Sequence, residues 1–81
     1  MTVTNAIKKL EKAGFQILGD YNFSASRTGG RMVIEFFRNG GGSEDVVCIR
    51  VRSKNDHDDS MTDYCAGVFC DNITQAIRLA N

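Results

Sequence analysis

The chain has 81 residues, with ten Lys or Arg balanced by ten Asp or Glu, 42% hydrophobic residues and no proline. A chain of this size forms one domain with a core of moderate efficiency and a net stability of about 4–12 kcal/mol. The neutral total excludes a protein driven onto nucleic acid by bulk positive charge, and equally one that imitates DNA by extreme acidity.

In chain order, the first signal is an amphipathic helix over Thr4 to Ala13. Val3, Ala6, Ile7, Leu10 and Ala13 form one stripe, while Lys8, Lys9, Glu11 and Lys12 occupy the other side. Gly14 is placed as its left-handed terminator, with Phe15 folding back on the last turn. From Phe15 to Phe23 the chain alternates, which predicts a strand with Phe15, Ile17, Tyr21 and Phe23 on an inner row. Ser24 to Gly30 is turn-forming, and Arg31 to Arg38 is a second strand whose Met32, Ile34 and Phe36 match that row. Val33 and Phe37 fall on its opposite face. Asn39 to Ser43 makes a loose hairpin connection.

Asp45 to Ala80 then reads as strand, acidic turn, strand, helix. In the first of these, Val47, Ile49 and Val51 form one row and Cys48, Arg50 and Arg52 the other, the period of a strand with one face buried. Lys54 to Asp63 holds almost nothing that could be buried and is expected outside the sheet. Tyr64 to Phe69 alternates again, and its small central residues predict close packing by a helix. Ile73, Ala76, Ile77 and Ala80 return to helical spacing, with Asp71 or Asn72 as the cap and Gln75 placed to reach back. The tally is an α+β fold spanning residues 1–81: helix, four-stranded antiparallel meander, helix, with both helices on one face.

Charge is uneven along this order. Residues 1–40 hold six cations against three acids, giving +3, and residues 41–81 hold four against seven, giving −3, so two poles are expected. The three cysteines are odd in number and fit no common zinc spacing, which reads as small buried hydrophobes in a reducing compartment. The N-terminus lacks a signal-peptide core, and no apolar run approaches the roughly twenty residues that span a bilayer. A cytoplasmic protein without membrane contact is expected.

For chemistry, the acidic stretch is the first candidate. Asp56, His57, Asp58, Asp59 and Asp63 could gather around a divalent ion, but as a calcium loop the stretch has Met61 where glycine is needed and Gly67 where the closing carboxylate belongs. Attraction to an arginine-rich patch on another protein is the better use of four aspartates within eight residues. A thiol enzyme would have to pair His57, the single histidine, with Cys48, Cys65 or Cys70, and no local signature supports it. The glycine runs at 27–31 and 39–43 do not open a helix after a strand as a phosphate loop does. No catalytic residue, metal ligand set or cofactor is assigned, and a non-enzymatic chain is expected. An alternative site is the open sheet face, where Arg31, Arg38, Arg50 and Arg52 with Phe37 or Tyr64 would offer nucleic acid both charge and stacking. The element order is partly similar to a double-stranded RNA-binding domain, but that family uses three strands and a lysine-rich start to its second helix, whereas this helix begins Asp71-Asn72-Ile73-Thr74.

The segment from Val47 through Arg50-Val51-Arg52-Ser53-Lys54-Asn55-Asp56-His57-Asp58-Asp59-Ser60, continuing by Thr62-Asp63-Tyr64 and Gly67 to Asn72-Ile73, resembles small domains within the large polyvalent proteins of phages and conjugative elements. The resemblance covers the C-terminal part of the chain and carries no catalytic motif. It implies a mobile-element origin beside nucleases, methyltransferases and other modules delivered into a new host. A free-standing version implies a counter-defence inhibitor such as an anti-CRISPR or antirestriction protein. The expected partner is a larger protein with a basic surface, met through Asp56 to Asp63, by a chain that is either a monomer or a homodimer.

Overall fold

A computed structural model of the chain describes residues 1–19, 23–40, 42–53 and 67–81. The elements run α1 (Val3–Lys12), β1 (Gln16–Leu18), β2 (Phe23–Ser26), β3 (Met32–Arg38), β4 (Val46–Ser53), β5 (Val68–Cys70) and α2 (Ile73–Ala80). The strands form one open antiparallel sheet in sequence order, β1 to β5. The architecture is therefore α+β with a meander, as expected, but with five strands in place of four.

Both helices carry the end signals their sequences advertise. The Thr2 hydroxyl oxygen accepts from the Asn5 N–H at 3.1 Å at the start of α1. At its end Gly14 adopts φ +92°, so that its N–H reaches Glu11 O at 3.0 Å and the Phe15 N–H reaches Leu10 O at 2.9 Å. Those two bonds satisfy carbonyls that an abrupt stop would leave orphaned. At α2 the Asn72 side chain accepts from the Gln75 N–H at 2.8 Å while the Gln75 side chain accepts from the Asp71 N–H at 2.9 Å. The start of α1 is also clasped by the β3–β4 connection. Val3 N–H donates to Glu44 O at 2.8 Å, Val46 N–H donates to Met1 O at 3.1 Å, and the Glu44 carboxylate accepts from Thr4.

The extra strand arises where one long strand is expected over Phe15 to Phe23. The chain instead turns after Leu18 and returns as β2, pairing Ile17 with Ala25 and Leu18 with Ser24. Gly19, at φ +103°, supplies a backbone angle that a side chain would resist, so the reversal begins there. Alternation could not reveal it, because Ile17, Phe23 and Ala25 keep one parity through the turn and all pack on the core. The expected turn from Ser24 onward narrows accordingly to the segment closed by the Gly30 N–H on Arg27 O at 2.9 Å.

A second departure lies in β4. Phe37 pairs with Cys48 but Arg38 pairs with Val46, so Val47 is the additional residue of a bulge. Val46 turns inward in its place, and Val47, expected on the buried row, is 61% exposed. Of the last strand, expected over Tyr64 to Phe69, residues 64–66 lie outside the described residues; from Gly67 on, the strand β5 begins at Val68 and extends one residue further than expected, to Cys70.

The core forms on one face of the sheet. Val3, Ala6 and Leu10 of α1 and Ile73, Ala76 and Ala80 of α2 join Ala25, Ile34, Phe36, Ile49 and Val51 in one cluster. Both helices thus cover the same face, as their single apolar stripes require. Phe36, Leu10, Ile34 and Ile73 are wholly buried, each contributing roughly 1.5–3 kcal/mol from removal of apolar surface from water. Phe23 stacks on Phe36 with ring centroids 5.2 Å apart. Among the described residues, no helix is long and apolar enough to cross a membrane.

Candidate functional site

Asp56, His57, Asp58, Asp59 and Asp63 all fall outside the described residues. What the fold defines are the two stems of that stretch, Ser53 at the end of β4 and Gly67 before β5. Gly67 sits flush against β4. A Cβ there would lie 2.6 Å from Val51 O and 3.2 Å from both Arg50 Cγ and Arg52 Cβ, and its φ is +96°. At Gly67 the close approach is thus to the backbone of the neighbouring strand, while α2 packs against β5 as the expectation of a covering helix requires. From Gly67 the chain enters register at once, pairing Val51 with Val68, Arg50 with Phe69 and Ile49 with Cys70.

β5 is the last strand of the sheet, and it presents apolar side chains outward. Val68 is 55% exposed and Phe69 61% exposed, on opposite faces of the strand by alternation. Cys70 turns in to pack on the core. Partial burial, followed by the negative charge of Asp71, pushes its thiol above the ordinary value, so it is held as the neutral, poorly nucleophilic form at neutral pH. Cys48 is also a free, half-buried thiol, and Cys65 lies outside the described residues. Among the described residues no cluster of His, Cys, Asp and Glu is disposed to hold a metal.

On the open face, β3, β4 and β5 align Glu35, Arg50 and Phe69 in one row across the strands. Glu35 is the pivot. Its Oε1 accepts from Arg50 Nε at 2.9 Å and Nη2 at 2.5 Å, and its Oε2 stands 3.0 Å from Arg52 Nε. The three side chains are 17%, 14% and 11% exposed, shielded enough for the pairing to be stronger than an ordinary surface contact. Sequence reading identified both arginines and their shared face but missed the carboxylate between them. The signal was present: Glu35 has the parity of Val33 and Phe37, opposite to Ile34 and Phe36, and so had to share the face of Arg50 and Arg52.

The other two arginines of the alternative site lie elsewhere. The Arg38 guanidinium lies 4.7 Å from the centroid of the Phe23 ring, which packs on the core, so Arg38 belongs to the margin of the helix-covered face. Arg31 is exposed beside the β2–β3 turn and lines a cleft of about 580 Å³ with Arg27, Gly29, Gly30 and the end of α2. Arg27 is engaged within that cleft, lying 4.4 Å over the Phe15 ring and donating to the Asn81 side-chain oxygen. The fold thus brings Arg50 and Arg52 together and separates Arg31 and Arg38 from them. Comparison with family models, curated proteins and solved structures returns no match.

Proposed function

We propose that this chain is a small non-enzymatic interaction protein of mobile-element origin that blocks or adapts a larger protein. The contact surface is the aspartate-rich stretch containing Asp56, His57, Asp58, Asp59 and Asp63 together with the adjoining strand β5. The observation that carries this reading is the exposure of Val68 and Phe69 on a terminal strand, immediately after a stretch holding four of the ten acidic residues. Phe69 on the open face and Val68 on the other flank the edge of β5 as two apolar anchors of the kind that dominate binding energy, and the neighbouring carboxylates supply steering and choice of a basic partner. A terminal strand adds main-chain groups that an incoming segment can pair with.

The phage-like resemblance gives this interaction its setting, counter-defence against a host system of the anti-CRISPR or antirestriction kind. The test is replacement of Asp56, Asp58, Asp59 and Asp63 together by Asn, with circular dichroism as the check on folding. In a bacterium protected by CRISPR or restriction immunity, the native chain raises the plating efficiency of phage and captures a defence component, and the variant does neither. Equal protection and equal capture by the two proteins would refute the reading. Recognition of nucleic acid through Arg31, Arg38, Arg50 and Arg52 has less support, because Glu35 holds two of the four guanidiniums.

A further inference from the structure

The outer surface of the helix layer has a character that neither the acidic stretch nor the sheet arginines explain. Two adjoining clefts run between α1 and α2, of about 310 Å³ and about 390 Å³, and Lys9 and Thr74 line both. Lys12 closes the first, while Asn72, Gln75 and Arg78 line the second. Lys9, Lys12 and Arg78 are all exposed, and among the described residues no carboxylate lies within ion-pairing distance of them. Glu11, the one acid on these two helices, lines neither cleft. Lys9, Lys12 and Arg78 stand in the last turns of their helices, where cations offset the helix dipole. That accounts for their sign. It does not account for cations from two helices converging on one cleft beside the hydroxyl and amide groups of Thr74, Asn72 and Gln75.

We infer that this inter-helix cleft binds the sugar–phosphate backbone of double-stranded nucleic acid without reading its sequence. Lys, Arg, Thr, Asn and Gln are the side chains that contact phosphate oxygens. Lys9 and Lys12 are about one helical turn apart, about 4.5 Å along the axis, and Arg78 of the other helix lines the second cleft together with Lys9, so the three can bracket phosphates of one strand. The duplex is preferred over a single strand because unpaired bases need aromatic platforms, and neither helix contains an aromatic residue. This surface is separate from the acidic stretch, and its failure would leave the proposed protein interaction standing.

The probe is a fluorescein-labelled 20-base-pair duplex of mixed sequence, titrated with the full chain by anisotropy between 50 and 200 mM salt. Three phosphate contacts give a log–log salt slope of about −2.7, so affinity falls about 40-fold over that range. Lys9→Gln/Lys12→Gln/Arg78→Gln flattens the slope and abolishes binding at 50 mM salt, whereas Arg31→Gln leaves both unchanged. Should the triple variant misfold by circular dichroism, Lys9→Gln alone reduces the slope by about 0.9. Absence of duplex binding at 50 mM salt, undiminished binding by a folded triple variant, or equal competition by a 20-nucleotide single strand or by polyglutamate of matched charge overturns the inference.

Discussion

Gly67 offers a sharp quantitative test of how the candidate surface is held. Replacing it by Ala imposes two separable costs. A side chain at φ +96° pays the left-handed penalty of about 1–2 kcal/mol, offset by about 0.4–1 kcal/mol because alanine restricts the unfolded chain. The second cost is steric. The new Cβ would lie 2.6 Å from Val51 O, a backbone atom inside the sheet, so β5 must move away from β4 or the ladder must yield. Overpacking of this kind costs about 1–3 kcal/mol. Gly29 is the control, since it has φ +79° and nothing within 4 Å of the position its Cβ would occupy. Gly29→Ala therefore carries the first cost alone, and Gly67→Ala exceeds it by the second. With a urea m-value of about 1 kcal/mol/M for a chain of this size, the midpoint of Gly67→Ala lies about 1–3 M below that of Gly29→Ala. Amide exchange of Val68 to Cys70 reports detachment of β5 even if the rest stays folded. Equal midpoints and unchanged exchange would show that Gly67 does not lie against β4 as described.

Two further outcomes follow from the sheet. Glu35→Ala leaves the shielded guanidiniums of Arg50 and Arg52 facing one another without their shared carboxylate and lowers stability by about 2–4 kcal/mol, measured by urea denaturation, whereas Arg31→Ala changes it by less than about 0.5 kcal/mol. Val47→Asp is tolerated within about 0.5 kcal/mol because the bulge turns that residue to solvent, while Ile49→Asp two positions on places a carboxylate in the core and abolishes the cooperative thermal transition; comparable losses from both would remove the bulge.

Much of the architecture could be read from residue pattern because each cue was local. The 3–4 spacing of α1, its Gly14 terminator and the Asn72–Gln75 cap each concern fewer than a dozen contiguous residues, and all appear as expected. What escaped were features that depend on a partner strand. Alternation records which face a side chain takes but not where the chain reverses, so the β1–β2 hairpin passed for one strand. A bulge is defined only by the opposing register, and Val47 looks no different in sequence from Ile49. Glu35 lies between these cases: its parity put it on the face of Arg50 and Arg52, but its register opposite Arg50, which makes it their shared counter-charge, is set by the neighbouring strand.

The clasp between the first residues and the β3–β4 connection has a consequence for the newly made chain. α1 is complete before any of the groups that anchor it have been synthesised, since Glu44 and Val46 follow more than thirty residues later, and its helical neighbour in the core, α2, is made only after all five strands. Hairpins β1–β2 and β2–β3 join residues close in sequence and can zip first. The apolar stripe of Val3, Ala6 and Leu10 then remains open to chaperones, or to another nascent chain, until α2 has emerged.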